Sequence, residues 1–177
     1  MFTNPEQNIL HLGIKEGMQV ADFGAGTGFY SKAVSMKVGY TGKVYAIEVQ
    51  KNLVKKLESE IKQWGITNIE CIWGDIERRG GTKLSDESMD RVIISNVLFQ
   101  AEDKIGLISE ARRILKKDGE VLLIEWSESF GGMGPKEENI VKENMAKELF
   151  EKKGFKFVEK ISTSAHHYGI IFKYESR

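Results

Sequence analysis

Short apolar runs of strand-like character alternate along the chain with longer segments whose apolar residues recur at helical spacing. That alternation predicts βαβ units on a parallel sheet. Asn4 followed by Pro5 reads as a cap with proline at the first helical position, opening a short helix that ends at Gly13. Gly17 turns the chain into a first strand, Met18–Phe23; a helix over Phe29–Val38, closed by Gly39, leads to a second, Lys43–Val49. Lys51–Trp64 places Leu53, Val54, Leu57, Ile61 and Trp64 on one stripe, an amphipathic helix capped by Gly65. A third strand, Ile69–Trp73, is followed by the loop Gly74–Gly81, a fourth strand, Asp90–Ser95, and a helix over Asp103–Leu115. In the fifth strand, Gly119–Trp126, the run Val121–Ile124 is apolar on both faces, as a central parallel strand requires. Ser127–Pro135 contains Gly131, Gly132 and Gly134 without periodicity and reads as a mobile loop. A helix over Glu138–Lys153 ends at Gly154, and the runs Phe155–Ser162 and His166–Tyr174 are close enough to form an antiparallel hairpin.

Composition adds bounds. A chain of 177 residues without linker, repeat or low-complexity tract fits one domain, 1–177. Lys plus Arg and Asp plus Glu both number 26, so the formal net charge is zero and no nucleic-acid or anionic-membrane partner is expected. Cys71 is the one cysteine, which excludes an internal disulfide and a cysteine zinc cluster; within Ile69–Trp73 it reads as a small hydrophobe. No His, Asp and Glu spacing resembles a metal site. Met1–Pro5 has no signal-peptide character and no stretch has the length of a membrane span, so a cytoplasmic location is the default expectation.

The chemistry concentrates in Val20–Tyr30, where Asp22 precedes Gly24-Ala25-Gly26-Thr27-Gly28 at the junction of the first strand and its helix. Open α/β sheets bind ligands at that place, and glycines there let main-chain N–H groups approach a ligand. A glycine turn alone is weak evidence, but two details sharpen it. The dinucleotide fingerprint G-x-G-x-x-G needs glycine at position 29, which is Phe29. The charge of Asp22 would also repel a pyrophosphate. It suits instead a ligand with a cationic end, such as the methionine moiety and sulfonium of S-adenosylmethionine. Glu48, with Val49 beside it, ends the second strand at the distance of about 20 residues from which a carboxylate reaches ribose hydroxyls. After the third strand, Gly74-Asp75-Ile76 offers an acceptor for an adenine amino group and an apolar side chain for its ring.

Asp22–Gly28, Glu48 and Asp75 together resemble the first motifs of the class I S-adenosylmethionine-dependent methyltransferases. Met89–Asn96 resembles their fourth-strand motif, and Leu115–Glu120 the L-K-P-G-G turn before strand five, with Asp118 read in place of proline. Within the class, Ser95-Asn96-Val97-Leu98 is similar to the small ubiquinone/menaquinone-biosynthesis type, although Phe99-Gln100 stand where those proteins often have histidine. The resemblance implies a Rossmann-like, doubly wound α/β fold. Its seven-stranded sheet is mostly parallel with the last strand antiparallel, and helices cover both faces. It also implies S-adenosylmethionine as cofactor, S-adenosylhomocysteine as product and a small-molecule acceptor, with Ser95 and Asn96 as further cofactor contacts.

The acceptor side is read from less. Trp126, Ser127 and Phe130 lead into the glycine-rich loop, where an aromatic wall would attract a sulfonium, and Glu125 could orient the same region. The loop reads as a lid over both ligands. His166 and His167 open the final strand at the same sheet end as the glycine loop. Because neighbours on a strand face opposite sides, one of them is the expected base. The plainer readings are packing for the histidines, including His11, and a turn cap for Asp90. Rival functions are a non-catalytic adenosyl-ligand sensor or scaffold and a nicotinamide-dependent oxidoreductase, the latter disfavoured by Phe29 and Asp22.

Overall fold

The structure, a computed structural model, describes residues 4–130, 132 and 134–175. Met1 and Gly131, which figured in the readings of the leader and the loop, lie outside them. The first helix, α1 (Pro5–Asn8), opens as expected, with the Asn4 side chain accepting the Gln7 N–H, and tightens into a 3₁₀ turn over Ile9–Leu12 that Gly13 ends in a left-handed conformation. The chain then runs β1 (Gln19–Phe23), α2 (Phe29–Val38), β2 (Lys43–Glu48), α3 (Lys51–Trp64), β3 (Ile69–Trp73), β4 (Met89–Ser95), α4 (Lys104–Ile114), β5 (Leu115–Trp126), α5 (Glu143–Glu151), β6 (Phe155–Ile161) and β7 (His167–Tyr174). The strands form one seven-stranded sheet in the order β3-β2-β1-β4-β5-β7-β6. The pairs among β1 to β5 are parallel, whereas β7 is antiparallel to both β5 and β6. This is the expected Rossmann-like arrangement.

Helices cover both faces. Leu107, Ile108, Ala111, Ile114, Ala146 and Phe150 of α4 and α5 pack on one side with Val92, Ile94 and Leu123. On the other, α1, its 3₁₀ turn and α2 bury Ile9, Leu12, Tyr30, Val34 and Val38 against Val20, Ile93 and Leu122. Ala46 anchors Leu57 and Ile61 of α3. The sheet reverses its winding between β1 and β4, and the crevice at that switch point opens at the carboxyl ends of the strands.

Two elements differ from the sequence reading. The expected helix Glu138–Lys153 is broken: a 3₁₀ turn over Glu137–Asn139 is followed by extended backbone at Ile140, and α5 starts only at Glu143. The break lets the β-branched Val141 bury its side chain in the core while its carbonyl accepts the Tyr168 hydroxyl at 2.7 Å. The second difference is β5, which begins at Leu115 and not at Gly119. Leu115 pairs with Met89, and the register then shifts before Arg91. Asp118 lies at φ +62°, a conformation closed to proline. Asp118 therefore stands at the first glycine of L-K-P-G-G and Lys117 at its proline, which corrects the alignment given above.

Candidate functional site

A cavity of about 730 Å³ opens at the switch point, bordered by Gly24, Gly26, Glu48, Val49, Asp75, Ile76 and Asn96 among others. The glycines that shape it have different tasks. At Gly24 (φ +67°) an added Cβ would fall 2.6 Å from Val97, and at Gly28 (φ +76°) 2.3 Å from Leu57 on α3. Those two glycines allow protein segments to pack closely. Gly26 (φ +52°) has no atom within 3.4 Å of such a Cβ, so it is here that open space reaches the backbone. Gly28 packs against α3 and is not among the described residues that border the cavity.

Glu48 is buried at the rim. One oxygen accepts the Gln50 N–H at 2.9 Å and the other the Gly26 N–H at 3.3 Å. A carboxylate offers about four lone-pair sites, so it retains capacity to accept from a diol. Asp75 turns its own loop by accepting the Glu77 N–H and pairs with Arg78. Asp22 does not border the cavity. It lies buried beneath the glycine turn, accepts the Ser31 hydroxyl at 2.6 Å, and burial pushes its pKa up to about 6. Its influence on a ligand is through its field. Ala25, Thr27, Gly28, Gly74 and Ser95 are not among the residues that border it; the Ala25 N–H is bonded to the Ile47 carbonyl and that of Gly74 to the Glu48 carbonyl.

The opposite wall is the turn that follows β4. Asn96 takes the left-handed conformation (φ +56°), and Val97, Gln100, Ala101, Glu102 and Asp103 continue the lining. Gln50, Leu53, Glu77 and Arg78 complete it. Sequence reasoning missed most of this wall because it has no glycine signature; Asn96, named from the fourth-strand resemblance, is the part it anticipated, and Asn tolerates the left-handed conformation found there. The electrostatics are one-sided. Glu48, Asp75, Glu77, Glu102 and Asp103 face Arg78, the one cation among the described residues around the cavity.

Of the residues read as acceptor-side, Ser127 and His167 border a different cavity, and Trp126, Phe130 and His166 border neither. A second cavity, of about 630 Å³, lies beyond β5, bordered by Ser127, Lys142, Glu143, the turn Ser162–Ala165, His167 and Tyr168. Among the described residues the two cavities share none; those lining the first lie before position 104 and those lining the second after 126. The histidines separate, but not by the pleat: β7 begins at His167, and His166 lies in the turn before it. His167 packs on the Trp126 ring at 4.1 Å between centroids and holds Ser164 Oγ at 2.8 Å through Nδ1, and burial lowers its pKa to about 4. It is neutral at ordinary pH and a weak base. His166 precedes the strand and is clasped by the loop after β5, with its ring stacked on Phe130 at 3.9 Å and Nδ1 2.7 Å from Glu128. Gly134 folds back so closely on Trp126 that a Cβ would meet the ring at 2.8 Å. Asp90 has the plain structural task expected, accepting the Gln19 N–H and pairing with Lys116. Cys71 has its pKa pushed up to about 11 by burial, which suits a packing residue.

Sheet order, the switch-point cavity and the glycine turn with its following carboxylate define the fold class of the S-adenosylmethionine-dependent methyltransferases. Residues 14–173 match the methyltransferase-domain family, and the chain belongs to it. A methyltransferase structure from Aquifex aeolicus, described as S-adenosylmethionine-dependent, superposes with a TM-score of 0.89 at 26% identity, covering 97% of this chain and 90% of that one. A demethylmenaquinone methyltransferase from Bacillus velezensis is 29% identical over 122 residues, 68% of this chain and 51% of its own length. The ubiquinone/menaquinone biosynthesis C-methyltransferase of Haemophilus ducreyi is 28% identical over 65% of this chain and 44% of its own. The chain spans about half the length of these curated relatives. No helix among the described residues is long and apolar enough to cross a membrane.

Proposed function

We propose that this chain transfers the methyl group of S-adenosylmethionine to a small-molecule acceptor, with the cofactor in the switch-point cavity. The observation that carries the reading is the acidic lining beside open backbone at Gly26. A ligand with a cationic end gains there, and one with a pyrophosphate is repelled. Glu48 is the acceptor for the ribose hydroxyls, Asp75 for the adenine amino group, and Ile76 packs on the adenine. Gly24, Gly26, Val49 and Asn96 complete the cradle, and Asp22 supplies negative potential from below. When bound, the cofactor supplies an electrophilic sulfonium methyl whose thioether leaves without needing an acid.

The chain's own contribution is placement and exclusion of water. Trp126, Ser127 and Phe130, with the loop they enter, border the acceptor, and His166 or His167 takes a proton where the nucleophile carries one. The quinone-ring methylation named for the relatives is one acceptor chemistry compatible with this placement. The hydroxyls and lysines around the second cavity favour an acceptor that forms hydrogen bonds. A cytoplasmic role without nucleic acid belongs to the same reading.

Calorimetric titration of the purified chain with S-adenosylhomocysteine and, separately, NAD is the direct test. Binding of S-adenosylhomocysteine with at most weak NAD binding is expected, and the reverse order would overturn the assignment. Incubating cell extract with methyl-labelled cofactor and the protein then identifies the acceptor; the absence of any labelled product would leave the sensor reading in its place.

A further inference from the structure

Between the two cavities lies Glu125, the penultimate residue of β5, with no exposed surface. Its Oε1 accepts the Leu98 N–H at 2.7 Å, and the N–H groups of Val97, Phe99 and Trp126 also point toward the carboxyl. The other oxygen, Oε2, is buried without a hydrogen-bond partner. So is Oδ1 of Asn96. The two atoms belong to the ends of paired strands: Ser95 lies opposite Ile124, and the Asn96 N–H donates to the Ile124 carbonyl at 2.8 Å. Two orphaned acceptors at one strand junction are an expensive arrangement, because each forfeits its hydrogen bond to water. A single proton on Oε2 would make that oxygen a donor, and Asn96 Oδ1 is the other unpartnered acceptor at the ends of this strand pair.

We infer that Glu125 is a protonated positioning residue: its carboxyl group accepts the Leu98 N–H through Oε1 and donates through Oε2 to Asn96, pinning the 96–101 turn that walls the cofactor cavity. The inference rests on the cofactor assignment above only where ligand affinity is the readout. The surroundings agree with a neutral acid. Burial pushes the Glu125 pKa up to about 7 against the pull of the surrounding N–H groups. The ionisable groups near it are Tyr168, opposite on β7; His167 beside that residue; Glu143 at the start of α5, held by Lys147 and Lys160; and Glu102 at the end of the turn. Among the described residues none hydrogen-bonds or ion-pairs with Glu125. Ionisation would leave two buried acceptors facing the same junction and loosen the turn.

Glu125→Gln is the informative variant, because its amide is a permanent copy of the protonated acid. At neutral pH the wild-type infrared spectrum is expected to show the carbonyl stretch of a protonated carboxyl, absent from Glu125→Gln. In Asn96→Gly, which suits the positive φ and removes the acceptor, that band shifts toward that of a free carboxyl. Wild-type affinity for S-adenosylhomocysteine should fall by about tenfold from pH 6 to pH 8.5, the effect of stranding one buried acceptor pair. Glu125→Gln should stay within about twofold of the wild-type pH 6 value at both. A missing carboxyl band, or a variant as pH-dependent as the wild type, overturns the inference; it would mean an ionised Glu125 facing an Asn96 amide turned the other way. If S-adenosylhomocysteine does not bind the wild type at any pH, the cofactor reading fails, and the infrared bands still decide the state of Glu125.

Discussion

Replacing Glu48 by Ala separates ligand recognition from scaffolding, because this carboxylate is committed to both. In the structure it accepts from Gly26 and Gln50, and the same oxygens face the cavity where ribose hydroxyls are proposed to lie. Hydrogen bonds to a charged acceptor contribute roughly 1.5–3 kcal/mol each. Loss of even one such ribose contact should therefore weaken S-adenosylhomocysteine binding by about ten- to a hundredfold. The free protein is affected too. The Gly26 and Gln50 N–H groups lose their acceptor at a rim that water reaches, a cost of about 1–2 kcal/mol. For a chain of this size that lowers the thermal midpoint by roughly 3–6 °C. From the sequence alone the midpoint would have been expected to stay put; the two backbone bonds change that expectation. Titration calorimetry and thermal unfolding of the same preparation give both numbers. Affinity within twofold of wild type alongside a lowered midpoint would refute the ribose assignment and leave Glu48 as a brace for the glycine turn.

Two further outcomes follow from buried titratable groups. Asp22 has a folded pKa of about 6 against 3.8 for a free aspartate, so the folded state binds its proton more tightly than the unfolded chain. That contribution is fully present below about pH 4 and lost as pH rises through 6, up to about 3 kcal/mol in all. Asp22→Asn should flatten the fall in unfolding free energy between pH 4 and 6 measured with urea, leaving the part due to Glu125; an unchanged slope would sink the assignment. For the histidines, His166→Gln and His167→Gln made separately should leave S-adenosylhomocysteine affinity within about twofold, while one of them lowers turnover with the identified acceptor. Full turnover in both variants would make them packing residues.

Periodicity made nearly every element legible, because strands and helices here are long, regular and punctuated by glycines such as Gly39, Gly65 and Gly154. The errors fall where local pattern and tertiary demand part. Residues 138–153 look helical throughout, yet Val141 is pulled into the core and its carbonyl is taken by Tyr168, so the helix starts late. Lys116–Asp118 look like a turn, yet the backbone stays in the sheet through a register shift. Gly24, Gly26 and Glu48 of the switch-point cavity were readable, since they belong to a contiguous turn and a strand end; Asp22, read with them, lies beneath the turn. The wall formed by Val97, Gln100 and Ala101 was not, because it presents backbone and ordinary side chains positioned by Glu125 from another strand. Nor did spacing alone distinguish Gly28, which accommodates α3, from Gly26, which opens on the cavity.

The complete separation of the two cavities along the chain bears on how such a protein diversifies. Among the described residues, those lining the switch-point cavity are encoded before position 104 and those lining the second after 126, with β5 as the seam. On the proposed reading, substitutions or insertions after β5 retune which molecule is modified without disturbing the affinity for the methyl donor. A ribosome likewise completes the donor-binding portion before the acceptor-binding portion has been synthesised. Grafting the stretch after β5 from a relative of different specificity should therefore carry acceptor choice with it, provided the seam keeps its hydrogen bonds.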